Sequence, residues 1–152
     1  MKIAKLIVDY FYSKGVKHVF ILTGGAIAFI AEAVKKNKKM TIIPAYHEQG
    51  ASIMSEGYNR ISEKPSLCMV TSGPGVTNIV TGVACSWYDS KPSIFISGQV
   101  RSDEIKSRGN YKNYNTNIFT YPFTRFLPRF SNFIGNYWYK CICLFFRLSR
   151  FN

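Results

Sequence analysis

The sequence predicts an α/β protein, a three-layer α/β/α arrangement around a parallel sheet that is incomplete at its C-terminal end. Two observations carry that class. Short runs that are apolar throughout alternate with longer stretches whose apolar residues recur every three or four positions, the pattern of strands buried on both faces beneath covering helices. Each apolar run also ends in a polar or Gly-rich turn, and ligands of such sheets bind beyond the carboxyl ends of the strands. A third observation limits the fold: the composition changes abruptly after Gly109.

Ile3, Leu6, Ile7, Tyr10 and Phe11 repeat at three and four, which predicts an amphipathic helix that Gly15 ends in a left-handed C-cap. His18 to Leu22 is a short apolar strand. Gly24-Gly25 turns the chain into a helix from Ala26 to Val34, with Ile27, Ile30, Ala31 and Val34 inward. Lys35 to Lys39 is a solvated turn, as such charge runs usually are. Thr41 to Pro44 is the second strand, and His47 to Arg60 a helix with Ala51, Met54 and Tyr58 on one face. Leu67 to Thr71 is the third strand. Ser72-Gly73-Pro74-Gly75 leads into one helix bearing Val76, Ile79/Val80, Val83 and Trp87, and Asp89, Lys91 and Pro92 mark its end. Ser93 to Ser97 is the fourth strand. The edge where ligands should gather is then Leu22 to Gly25, Ala45 to Gln49, Ser72 to Asn78 and Gly98-Gln99.

The 152 residues suit one domain, and 47% hydrophobic content suffices for a packed core. The formal net charge of +12 is shared unevenly. Residues 1–109 carry 14 basic and all 8 acidic residues, whereas residues 110–152 carry 6 basic residues, no acid and 14 of the 24 aromatics. We therefore divide the chain into a domain at 1–109 and a basic, aromatic-rich tail at 110–152. The tail could stack on single-stranded nucleic acid, could anchor at a membrane interface, or could be the product of a shifted reading frame in an AT-rich gene. The third reading is preferred, because the Phe/Tyr spacing keeps neither a helical nor a strand period for long. No apolar run reaches the roughly 18 residues of a spanning helix. Asp9 arrives too soon for a signal-peptide core, so the expected compartment is the cytoplasm. Cys68, Cys85, Cys141 and Cys143 include no Cys-x2-Cys pair and His18 and His47 are the only histidines, so neither disulfides nor a metal site is expected.

Several residues at the predicted edge admit two readings. Ser72-Gly73-Pro74-Gly75-Val76-Thr77-Asn78 could bind an anion at a helix start, or could be only a tight turn with Pro at the first helical position. As a dinucleotide fingerprint it is weak, since Asn78 stands where the third glycine would be. Glu48 follows a strand directly; walled by apolar strand ends, its carboxyl would have a raised pKa and could share a proton with a ligand nitrogen. The plainer reading is an acid favoured by the helix dipole, and position alone favours it. His47 reads as a helix-start hydrogen-bonder, Gly24-Gly25 as a turn or a place of close ligand approach, and Cys85 as a core thiol.

Three segments, taken in order, carry a resemblance. They are Gly15 to Phe20 leading to Gly24-Gly25-Ala26, then His47-Glu48-Gln49-Gly50-Ala51 with Glu56 to Arg60, then Thr71 to Asn78 continuing through Thr81 to Ala84 and Ser97 to Val100. From about Lys2 to Arg101 the chain resembles the N-terminal, pyrimidine-binding domain of thiamine diphosphate enzymes, nearest the acetolactate synthase branch. The resemblance implies the thiamine diphosphate-binding fold. It implies that Glu48 hydrogen-bonds N1′ of the aminopyrimidine and promotes its imino tautomer. The exocyclic nitrogen then takes the C2 proton of the thiazolium, making the carbon that attacks a 2-keto acid such as pyruvate. Pro74 and Asn78 match positions that pack on or bond to the pyrimidine, and Leu22, Thr23, Gly24 and Gly25 stand in a loop that reaches the cofactor.

The departures are equally specific. Relatives continue into a Gly-x-Gln-Glu pattern, but from Asn110 onward there is neither Gln nor Glu. The Gly-Asp-Gly and Asn-Asn motifs that hold diphosphate and Mg2+ in the family do not occur. The expected Mg2+ site therefore lies in a diphosphate domain on another chain, in the homo-oligomeric setting of the parent family, and this chain alone is expected to be inactive. Neither nucleic acid nor membrane is an expected partner. The competing hypothesis is a non-catalytic module that binds nucleic acid or an anionic surface through its basic charge; salt-dependent binding by residues 1–109 alone would favour it.

Overall fold

The computed structural model describes residues 3–98 and the strand at 141–145. Its elements are α1 (Ile3–Ser13), β1 (His18–Ile21), a 3-10 turn (Gly25–Ile27), α2 (Ala28–Lys36), β2 (Thr41–Pro44) and α3 (Glu48–Ser62), followed by β3 (Ser66–Val70), α4 (Pro74–Asn78), α5 (Val80–Tyr88), β4 (Ser93–Ser97) and β5 (Cys141–Phe145). The strands form one sheet in the order β2-β1-β3-β4-β5, every neighbouring pair parallel. This is the predicted α/β class.

Side chains alternate across the sheet with a period of two, so each face has its own core. On one face Val19, Ile21, Leu67, Met69, Ile94 and Ile96 meet Val8 and Phe11 of α1 and Ile30 and Val34 of α2. On the other, Phe20, Cys68, Val70 and Phe95 meet Ala51 of α3 and Ile79 between α4 and α5, with Tyr58, Val83 and Trp87 partly buried against them. The strands are apolar throughout because both faces are covered.

The helix-ending role predicted for Gly15 is present in detail. Its φ is +91°, its N–H donates to Tyr12 O at 3.0 Å, and the Val16 N–H donates to Phe11 O at 3.1 Å. These two bonds are those of a Schellman motif, and Phe11 and Val16 are both buried in the first core, supplying the apolar contact that accompanies it.

Four details differ from the reading by pattern. In α1 the inward face is Ala4, Ile7, Val8 and Phe11, leaving Ile3, Leu6 and Tyr10 exposed. The helix is apolar on two adjacent stripes, and the one that α2 and the sheet can reach is the one buried. In α3 Met54 is exposed, and the buried positions besides Ala51 are Ser52, Ser55, Glu56 and Asn59. These polar groups are accepted because they are mostly paired. The Ser55 and Ser66 hydroxyls lie 2.7 Å apart, Asn59 donates to Ser93 Oγ, Ser86 and Ser93 hydroxyls lie 2.9 Å apart, and Arg60 pairs with both Glu56 and Asp89. The single helix expected from Val76 to Trp87 is two, broken at Ile79 (φ −91°, ψ −4°). Finally, on the C-terminal side, where the sheet is expected to be incomplete, β4 is paired from Ser93↔Cys141 to Ser97↔Phe145. The tail's apolar run Cys141-Ile142-Cys143-Leu144-Phe145 supplies that strand, as an unpaired edge invites.

Candidate functional site

The strands all end at one edge, and backbone bonds carry the ladder into the loops there. Leu22 N–H donates to Met69 O at 3.2 Å, Ala45 N–H to Ile21 O at 2.9 Å, and Gly98 N–H to Val70 O at 3.2 Å. The turns after β1, β2, β3 and β4 are therefore fixed relative to one another.

The turn after β3 is shaped by Gly73, whose φ of +67° and ψ of −123° suit only glycine. It caps α4, with Pro74 exposed at the first helical position. Just upstream, Thr71 is wedged between two glycines. A β-carbon on Gly24 would lie 2.5 Å from Thr71 Cβ, and one on Gly75 would lie 3.1 Å from Thr71 Cγ2. Gly24 is thus required by the packing of the β1 turn on the β3 turn, whereas Gly25 has nothing within 4 Å of where its β-carbon would be. Leu22 is half-buried and Thr23 exposed beside them.

Glu48 is the first residue of α3. His47 caps the helix, its Nδ1 accepting from Gln49 N–H at 3.1 Å, which is the role its position predicts. Glu48 is half-buried, and it does more than complement the helix dipole. Its Oε2 accepts from Asn78 Nδ2 at 2.9 Å, thirty residues along the chain. Its Oε1 lies 3.7 Å from where a β-carbon on Gly75 would be. The fold therefore brings Glu48, Gly75 and Asn78 together, and Thr71 joins them to Gly24. Pro74 opens the same α4 turn that carries Asn78.

Two residues at this edge stand in the resembling segments without a part of their own being read from the sequence. Thr71 holds the two turns together. Ser97, at the end of β4, is 2% exposed, and its hydroxyl has no hydrogen-bond partner among the described residues. Both are hydroxyl residues that close an apolar strand, the signal that could have found them. Gln99 and Val100 lie outside the described residues.

The thiols lie elsewhere. Burial pushes the Cys68 thiol up to about 12, which leaves it protonated and inert, and Cys85 is half-buried instead of fully in the core. Among the described residues no group of three or more His, Cys, Asp or Glu could hold a metal ion, and no helix is long and apolar enough to cross a membrane.

Residues 1–124 match the family described as thiamine pyrophosphate enzyme, N-terminal TPP binding domain. The match runs past the compositional break at Gly109. Among curated proteins, the chain is 41% identical over 102 residues to the acetolactate synthase large subunit of Buchnera aphidicola subsp. Acyrthosiphon pisum (strain APS), covering 67% of this chain and 18% of that one. It is 43% identical over 99 residues to the mitochondrial acetolactate synthase catalytic subunit of Aspergillus candidus, covering 65% of this chain and 14% of that one. Against the acetolactate synthase isozyme 1 large subunit of Escherichia coli (strain K12) the identity is 40% over 102 residues, covering 67% and 18%. The chain thus spans less than a fifth of the length of these relatives.

Proposed function

Because this chain belongs to the thiamine pyrophosphate enzymes through their N-terminal TPP binding domain, we propose that it is the pyrimidine-binding part of an acetolactate synthase-like enzyme and that Glu48 activates the cofactor's aminopyrimidine. The observation that carries this reading is the placement of Glu48. It sits half-buried at the ligand edge, one carboxylate oxygen held by Asn78 and the other without a hydrogen bond among the described residues, next to the Gly75 turn.

These residues fit an aminopyrimidine. The ring needs a carboxyl that can exchange a proton with a ring nitrogen, and Glu48 Oε1 is the oxygen left to do so. It needs an apolar surface, for which half-buried Leu22 would serve, and room for a flat group to approach backbone, which the open position at Gly25 beside Thr23 and Gly24 would give. Pro74 would add a rigid apolar surface. Thiamine diphosphate supplies, when bound, the electron sink for making or breaking the bond to a 2-keto acid carbonyl carbon. This chain's part is orientation and proton control at N1′. Diphosphate and Mg2+ would be held by a diphosphate-binding domain on another chain, within a homo-oligomer of the parent type.

The residues 1–109 form the working unit in this reading, and the tail at 110–152 takes no part in cofactor binding. The purified chain, given thiamine diphosphate, Mg2+ and pyruvate, is expected to release no acetolactate and no carbon dioxide above the enzyme-free control. Adding a polypeptide that carries a Gly-Asp-Gly and Asn-Asn diphosphate module of an acetolactate synthase is expected to produce turnover that depends on Glu48. Turnover by the chain alone would contradict the proposal.

A further inference from the structure

We infer that Asn78 is a positioning residue that acts through Glu48: it engages Oε2 and so leaves Oε1 as the one carboxyl oxygen available to a ligand. The inference rests on the pyrimidine-binding reading and adds to it a division of labour between the two oxygens. Asn78 ends α4, and the helix breaks immediately after it at Ile79. Val76 and Ile79, on either side, are buried at 5% and 3% exposure, with Ile79 in the core beneath α3. The Asn78 side chain is therefore borne on a short turn anchored in the core, and its 2.9 Å bond to Glu48 links that turn to the first residue of α3.

The chemistry follows from donor and acceptor roles. An amide nitrogen only donates, so Oε2 accepts, and Oε1, which has no such donor, is the better placed oxygen to share a proton. Oε1 accepts no hydrogen bond among the described residues and is not one of the buried unpartnered polar atoms, so it is the carboxyl oxygen still free to meet a ligand. Without Asn78 the terminal carboxyl torsion, which is broad, would no longer hold the carboxyl plane in one orientation.

The first test needs no ligand. In the full chain, labelled with nitrogen-15 and carbon-13, a through-hydrogen-bond correlation is expected between Asn78 Nδ2 and Glu48 Cδ. A freely exchanging Asn78 amide without that correlation would overturn the inference. The second test is a double-mutant cycle read by calorimetric binding of thiamine, which carries the pyrimidine without the diphosphate. Asn78→Leu is expected to weaken binding about tenfold in the wild-type background and less than twofold in a Glu48→Gln background, because the residue works through the carboxylate. Asn78→Asp, which keeps the size and replaces the donor with an acceptor, is expected to lose at least as much. Equal losses in both backgrounds would mean direct contact with the ring and would overturn the inference. If the wild-type chain binds no thiamine at all, the pyrimidine-binding reading fails, and the correlation still decides whether Asn78 holds Glu48.

Discussion

Truncating Phe95 to alanine is expected to remove about 3–5 kcal/mol of stability, a large part of what a domain of this size holds. Phe95 lies at the centre of β4 at 2% exposure, in register with Cys68 on β3, and fills the core between the sheet and the layer of α3, α4 and α5. The strands on either side are hydrogen-bonded in place, so the space it leaves cannot close by backbone movement. Urea unfolding of the variant measures the loss. Tyr46→Ala is the control, because Tyr46 is fully exposed and its removal is expected to change stability by no more than about 0.5 kcal/mol. The same cavity opens beside Cys68, so a thiol reagent that is excluded from Cys68 in the native chain is expected to reach it in Phe95→Ala. A loss below about 1 kcal/mol would mean that this layer is not packed as described.

Glu48→Gln is the second large effect, and it falls on binding instead of stability. Glutamine keeps the volume and can still accept from Asn78, so the melting temperature is expected to stay within a degree or two of the parent. What is lost is the charged acceptor that shares a proton with the ring. Hydrogen bonds to charged groups contribute about 1.5–3 kcal/mol, so affinity for thiamine diphosphate is expected to fall roughly tenfold to a hundredfold. Titration calorimetry on the two chains gives the ratio. An unchanged affinity would remove Glu48 from the cofactor site.

Much of this arrangement is legible in the amino-acid sequence. The strands, the Gly15 cap and the place of Glu48 follow from local chemistry: an apolar run between turns, a glycine where φ must be positive, an acid at a helix start. The faces of α1 and α3 do not. In α1, Ile3, Leu6 and Tyr10 compete with Ala4, Ile7, Val8 and Phe11 for the interior, and only the position of α2 decides between them. In α3, Ser52, Ser55 and Asn59 look like a solvent face, because their partners Gly82, Ser66 and Ser93 are between 11 and 34 residues away. A β-carbon at Gly82 would collide with the Ser52 side chain, so α5 approaches α3 as closely as it does only because position 82 is glycine. The break at Ile79 is hidden for a related reason: the apolar spacing runs on through it, and the kink serves contacts outside the helix. For the site, the residue types of Glu48, Gly75 and Asn78 can be read, but their meeting depends on a bond between residues thirty apart.

The most direct test of the central claim is a map of where the pyrimidine binds. Thiamine is titrated into the nitrogen-15-labelled full chain, and the amide shifts are followed residue by residue. The account predicts saturable shifts concentrated at Leu22–Gly25, Glu48 and Gly73–Asn78, with Asn78 side-chain signals moving alongside them. Saturation with shifts confined to Lys35–Lys39 or to residues 110–152, or no saturable shift at the strand-end edge, would contradict it and leave the basic charge as the feature to explain.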